Sequence, residues 1–318
     1  MAPLITYLRR LVLFGVFCAL AYPVLLVGIG ALLRFTYVEN LRYPLGDYGH
    51  MYTRLKEVKD HGPVDVVFLG SSHAYRGFDP RIWAERGFTS FNLGSSSQTP
   101  LQTELIARRY LPALDPRLVI LEVYPGTFRS NGAESAVDLI ANGPMDGATV
   151  RMALRTKNAM VFNTLLYGSM RRTLGLDANY QEDPVKVYDR YVPHGYVERI
   201  EGNFTPNDDL LPELTEPFPR QVEAFDRLLG FLRESGYPVV LVETPMTRWM
   251  YTGLYTDHDT FAARMDSLAP YVDMNGKVDL DDGSHFFTMD HMNQAGVVRF
   301  DKVLLDTMEQ RGWLPEAR

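Results

Sequence analysis

Val66-Val67-Phe68-Leu69-Gly70-Ser71-Ser72-His73-Ala74-Tyr75 is an apolar run that stops at a glycine and two serines. It reads as a buried strand emptying into a tight turn, where one serine can be presented at a sheet edge. By itself this pattern also describes β-turns and phosphate-binding loops. Far along the chain, Asp290-His291-Met292-Asn293-Gln294-Ala295-Gly296 places a histidine just before a predicted helix, where a base could meet a serine carried by another element. A serine hydroxyl needs such a base to become a good nucleophile, so the two segments together point to acyl-transfer chemistry.

Working outward from the first strand, Val64–Leu69, the chain alternates extended and helical patterns. Ser90-Phe91-Asn92-Leu93 is a second short extended piece and ends at Gly94-Ser95-Ser96-Ser97. Pro100 to Leu111 reads as a helix with proline in its first turn and Leu101, Leu105 and Tyr110 on one face. The run from Leu118 to Tyr124 is nearly all apolar, as a parallel strand covered on both faces should be. Val222 to Glu234 is a helix, Val239 to Thr244 a strand, and Gln294 to Gln310 a closing helix with Asn293 as its N-cap and Gly312 beyond its end. Repeated strand-then-helix units predict a three-layer α/β/α domain of flavodoxin-like type with a mostly parallel sheet, whose sites form at the carboxyl ends of the strands. Residues 125–219, rich in Pro, Gly, Asn and Tyr, interrupt the alternation, with clear periodicity only between Thr149 and Leu174. Such an insertion is either a lid or acceptor-binding element, or a packing excursion.

Residues 11–33 are apolar and uncharged, flanked by Arg9 and Arg10 before and Arg34 after. The run is long enough to span a bilayer as a helix, and longer than the apolar region of a typical cleaved signal peptide, roughly 7–15 residues. The expected organisation is therefore residues 1–10 as a short cytoplasmic N-terminus, 11–33 as a single transmembrane anchor, 34–63 as a linker with a helix from Gly49 to Asp60, and 64–318 as an extracytoplasmic domain. Arg34 and Arg42 partly balance the Arg9-Arg10 pair in orienting the span. The only cysteine, Cys18, lies within the span, so the remaining chain can form no disulfide. A net charge of −7 without a basic cluster argues against a nucleic-acid partner. The seven histidines are scattered, and no pair shows ligand spacing with a third carboxylate or cysteine; neither a metal nor another cofactor is expected.

Among the residues that could carry chemistry, Ser72 is the candidate nucleophile, His291 the base and Asp290 its orienting acid. The backbone N–H groups of Ser72 and Gly94 are candidate oxyanion donors, the latter because glycine allows close approach. Phe68-Leu69-Gly70-Ser71-Ser72-His73, Asn92-Leu93-Gly94-Ser95 and His291-Met292-Asn293-Gln294-Ala295-Gly296 resemble the first, second and last motif blocks of the SGNH/GDSL hydrolase superfamily. The alignment puts Ser71 where that family has aspartate and Ser72 where it has the nucleophile. The Gly-Ser-Ser form and the N-terminal anchor resemble an extracytoplasmic branch that includes the D-alanyl-transfer protein of teichoic-acid systems and the alginate O-acetylation proteins.

That resemblance implies a serine-dependent acyltransferase or esterase acting on an ester-linked acyl group, O-acetyl above all, of a cell-envelope glycan. It also implies a membrane-bound O-acyltransferase as partner. The sequence departs from the family in two places. The strand Leu121-Glu122-Val123-Tyr124 is not followed by the family's Gly-x-Asn-Asp, so an asparagine oxyanion donor is missing. The residue three before His291 is Thr288 rather than aspartate, whereas Asp282-Gly283-Ser284-His285 keeps the Asp-x-x-His spacing without the helix start that follows His291. These departures also fit an alternative, an inactive SGNH-like scaffold or glycan-binding protein.

Overall fold

The computed structural model describes residues 2–33, 40–205, 216–254 and 258–316. Arg34, the flank expected after the span, and the anchor's last link to the linker lie outside them. Five parallel strands form the central sheet: β1 (Val66–Leu69), β2 (Ser90–Asn92), β3 (Leu118–Glu122), β7 (Val239–Glu243) and β8 (Tyr271–Asp273), in the order β2-β1-β3-β7-β8. This is a doubly wound order that reverses between β1 and β3, the place where such sheets open a crevice at their carboxyl ends.

Side chains alternate across the sheet, and each face is covered. Val67, Leu69, Val119, Leu121 and Leu241 join one core, with α5 (Pro100–Leu114) and α10 (Pro219–Glu234); Val66, Phe68, Ile120, Val240 and Val242 join the other, with α4 (Pro80–Glu85) and α14 (Gln294–Gln310). The expected three-layer α/β architecture is therefore present. Val64 and Asp65 precede β1, their N–H groups donating to the Leu114 and Thr89 carbonyls at 2.9 and 3.0 Å, and β3 stops at Glu122 because Pro125 opens the short α6 (Pro125–Phe128). The final helix begins where expected: the Asn293 side chain accepts the Gly296 N–H at 3.2 Å.

The insertion holds more structure than its sequence announced. Its periodic part is two helices, α8 (Gly147–Thr156) and α9 (Ala159–Thr173), parted by Lys157 in the left-handed region (φ 53°) and capped anew by Asn158. It also contains α7 (Ala133–Asn142) and an antiparallel sheet of β4 (Val185–Lys186), β5 (Asp189–Val192) and β6 (Tyr196–Arg199). This sheet is docked on the main domain. The Asn92 N–H of edge strand β2 donates to the His194 carbonyl at 2.8 Å, and Arg76 makes a two-pronged pair with Asp189 at 2.9 and 2.7 Å. Arg54, fully buried in α2 (Met51–Glu57), donates to the carbonyls of Gly195, Gly94 and Gly49 at 2.8 Å each, tying insertion, β2 loop and linker together.

The N-terminal helix α1 (Ala2–Leu32) is long and apolar enough to cross a membrane. Its last turns rest on the insertion: Leu26 packs with Tyr43, Ala141 and Tyr167, the Tyr167 hydroxyl donates to the Gly30 carbonyl at 3.2 Å, and the Tyr22 hydroxyl donates to Asn163.

Candidate active site

The turn after β1 is built around Gly70. Its φ of 144° lies where only glycine is at ease, and a Cβ there would come within 2.5 Å of the Glu122 carboxylate. That space lets Glu122 Oε2, reaching from the end of β3, accept the Ser71 N–H at 2.7 Å. The two serines then divide the work. Ser71, almost fully buried, is the N-cap of α3 (Ser72–Gly77), its Oγ accepting the His73 N–H at 3.2 Å. Ser72 is the first helical residue and is only partly buried.

The loop before α14 brings His291 to this serine. His291 Nε2 lies 2.8 Å from Ser72 Oγ, across 219 residues of sequence. Its Nδ1 lies 2.8 Å from Asp290 Oδ1 and 2.8 Å from Thr288 Oγ1. Thr288 Oγ1 donates to Asp290 Oδ1 at 2.9 Å, so toward His291 it accepts; it also accepts the His291 N–H at 3.1 Å. Nδ1 therefore carries the proton and Nε2 is left as the acceptor for the serine. Thr288, at the position where an Asp-x-x-His spacing would put the acid, is a hydroxyl bridge between the ring and the neighbouring Asp290.

Behind the triad stands His73, 5% exposed. Its Nε2 is 3.4 Å from Asp290 Oδ2, and its Nδ1 is 3.6 Å from Glu122 Oε1, a charge contact rather than a hydrogen bond. Burial opposes a charge on this ring, yet the two carboxylates outweigh it and push its pKa up to about 10. Burial likewise works against the charge of Asp290, but the two histidines hold its carboxyl well below the usual range. His291 is pushed down, by burial first and by the neighbouring cations His73 and Arg76, against the pull of Asp290. A neutral base beside a fixed carboxylate is the state general-base catalysis requires.

Of the two expected oxyanion donors, the structure brings only one to the site. The Gly94 N–H donates to Asn92 Oδ1 at 3.0 Å. A Cβ at Gly94 would meet the Ser71 carbonyl and the Tyr75 nitrogen at 2.8 Å beneath α3, so glycine permits this close packing while its N–H is engaged by Asn92. The Ser72 N–H, at the start of a helix where no intrahelical partner exists, has none among the described residues and remains available. The alternative Asp282/His285 pair is not assembled. Asp282 accepts the Arg248 and Trp249 N–H groups at 2.8 and 3.2 Å, capping α11 (Arg248–Leu254), while His285 Nδ1 accepts the Asp281 N–H at 3.0 Å.

Sequence reading missed Thr288, His73 and Glu122 as site members. Glu122 did leave a signal, a charged residue in an otherwise apolar strand, since such residues are rarely buried unless paired. Histidines that are scattered in sequence converge with carboxylates in three dimensions. His73, Asp290 and His291 form one group with ligand atoms within 4.8 Å of one another, and Glu243, His258 and Asp273 form another. Two cavities of about 620 and 540 Å³ lie in the fold, and neither is lined by Ser72 or His291; the triad sits at the sheet rim.

No protein-family profile matches the chain, and no curated protein matches it. Among solved structures it is similar to a candidate acylhydrolase from Bacteroides fragilis (11% identity, 83% of this chain and 98% of that one, TM-score 0.43). It is also similar to a GDSL-like lipase from Bacteroides thetaiotaomicron (13%, 82% and 98%, TM-score 0.41). A third is a two-domain esterase active on acetylated mannans (14%, 83% and 55%, TM-score 0.35).

Proposed function

We propose that the protein is a membrane-anchored SGNH-like serine esterase or O-acyltransferase whose domain faces the extracytoplasmic side and acts on an ester-linked acyl group of a cell-envelope glycan. The observation that carries the chemistry is the 2.8 Å contact between Ser72 Oγ and His291 Nε2, with the far side of the ring held by Asp290 and Thr288. Ser72 attacks the acyl carbonyl while its proton passes to His291 Nε2. The tetrahedral oxyanion faces the Ser72 N–H, and collapse breaks the ester bond as His291 returns the proton to the leaving alcohol. A second hydroxyl, of a sugar or of water, then repeats the steps in reverse order on the acyl-serine. A side-chain arrangement this specific favours the enzyme over the scaffold reading.

Glycan as acceptor and a membrane-bound O-acyltransferase as acyl donor are the partners that suit a domain tethered beside the bilayer. The tether itself is tight. With Tyr22 and the turns after it docked on α9, the part of α1 from Leu11 to Ala21 covers only about 16 Å, against a hydrocarbon core of roughly 30 Å. Counted from Leu11, the span would bring the exposed Leu154 and Phe162 of α8 and α9 into the outer leaflet beside the anchor, whereas a span counted from Pro3 reaches about 28 Å and leaves them outside it. Incubating the full-length protein in detergent with p-nitrophenyl acetate tests the enzyme reading: turnover that disappears in Ser72→Ala supports it, and equal turnover by wild type and variant contradicts it. Mass analysis of envelope glycans with and without the protein then identifies the acyl group and acceptor.

A further inference from the structure

A second cluster of titratable side chains lies at the carboxyl edge of the sheet, on elements the triad does not use. Glu243 ends β7, Asp273 ends β8, and His258 opens α12 (His258–Leu268). His258 Nε2 is 3.1 Å from Glu243 Oε2 and 3.7 Å from Asp273 Oδ2. Two ligand atoms held by one tetrahedral ion at about 2.0–2.1 Å stand about 3.4 Å apart, so these separations bracket the value an ion would set.

An outer ring of donors is already in place. The Tyr271 hydroxyl donates to Glu243 Oε2 and the Tyr251 hydroxyl to Asp273 Oδ2, each at 2.8 Å, and Tyr251 lies 3.3 Å from the second ring nitrogen of His258. The two hydroxyls bond the same carboxylate oxygens that face His258 Nε2, and ligating carboxylates held by such outer hydrogen bonds are characteristic of metal sites. The other oxygen of Glu243, which is 1% exposed, has no hydrogen-bond partner among the described residues. An imidazolium pair leaves that oxygen bare, at the cost of a desolvated carboxylate atom. A cation bound by both oxygens does not.

We propose that Glu243, His258 and Asp273 bind a divalent transition-metal cation of the zinc class at a site separate from Ser72 and His291. A mixed imidazole and carboxylate set suits Zn²⁺ or Mn²⁺, whereas Ca²⁺ and Mg²⁺ favour oxygen alone. The ion joins the ends of β7 and β8 to α12 and, through Tyr251, to α11. Thr247, just before α11, donates from its N–H and Oγ1 to the Met289 carbonyl at 3.0 and 2.7 Å. The ion thus stiffens the support beneath the loop that carries His291, without touching the reacting atoms.

Calorimetric titration of ZnCl₂ into the chelator-stripped full-length protein in detergent tests the site, with thermal melting as a second readout. One tight site is expected in wild type and in His291→Ala. Glu243→Gln and His258→Gln should each weaken it beyond the roughly 10–100-fold loss typical of removing a ligand's hydrogen-bond partner, and should abolish the zinc-dependent rise in melting temperature. His258 is the less buried of the two, so its variant carries the test should Glu243→Gln misfold. Absence of stoichiometric binding in wild type overturns the proposal, as does unchanged binding in His258→Gln. Binding lost in His291→Ala and kept in His258→Gln would place the ion at the triad and overturn it as well.

Discussion

Replacing Thr288 by valine keeps the shape of the side chain and deletes the hydroxyl that joins His291 to Asp290. That oxygen makes three contacts: 2.8 Å to His291 Nδ1, 2.9 Å to the Asp290 carboxylate and 3.1 Å from the His291 N–H. Asp290 Oδ1 also stands 2.8 Å from Nδ1, so the ring keeps a counter-charge but loses its bridge. A hydrogen bond involving a charged group is worth about 1.5–3 kcal/mol, and the His291 ring is charged only after it takes the serine proton. The loss therefore falls on the transition state, and roughly 10- to 150-fold in kcat/KM is expected at about 1.36 kcal/mol per factor of ten. The assay is p-nitrophenyl acetate hydrolysis by the full-length protein, with thermal melting to confirm the fold and Thr288→Ser as the variant that should restore the rate. A loss under threefold would refute the bridge and leave Asp290 as the ring's sole support.

Asp290→Asn should cost more, on the order of the 10⁴-fold seen when a serine-protease triad loses its acid, while Asp282→Asn should chiefly lower stability by uncapping α11; steady-state kinetics and melting curves separate the two. Ser71→Ala should cost about 1 kcal/mol of stability as a lost N-cap and reduce turnover far less than Ser72→Ala, with the reverse order moving the nucleophile by one residue. His73 binds its proton more tightly folded than unfolded, where its pKa is about 6.5. Its contribution to stability is thus complete below that pH and fades as pH rises toward about 10. Denaturant melts between pH 6 and 10 should show this decline in wild type and a flatter profile in His73→Gln; identical profiles would remove the buried cation. Phe162→Trp should be quenched by brominated acyl chains in nanodiscs if α9 enters the outer leaflet, and bromine quenching no greater than that of wild type would keep the domain clear of the bilayer.

What was legible in the sequence was local. The strand Val66–Leu69, its serine turn and the Asn293-capped final helix are each written in adjacent residues, and the apolar alternation of strands and helices was enough for the parallel three-layer class. The rest depends on distance. His73 and Asp290 are 217 residues apart, and Thr288 looked like a failed acid because spacing rules describe side chains, not a hydroxyl relaying between two of them. Gly94 was read as a donor because a residue without a side chain lets substrate approach its backbone closely, whereas here the missing Cβ makes room for α3 and the N–H is already taken by Asn92. The short β8 and the Arg- and Tyr-rich strands of the insertion carry little alternation of their own, and they form because the sheet edge and Arg76 pair with them.

The central claim is that Ser72 is a nucleophile activated by His291. Intact-mass and peptide analysis after exposure of the folded, full-length protein to a serine-directed fluorophosphonate tests it most directly. The structure predicts a single adduct on Ser72 that vanishes in His291→Ala and persists in Ser71→Ala. An unlabelled folded protein, or an adduct on another residue that survives His291→Ala, would contradict it.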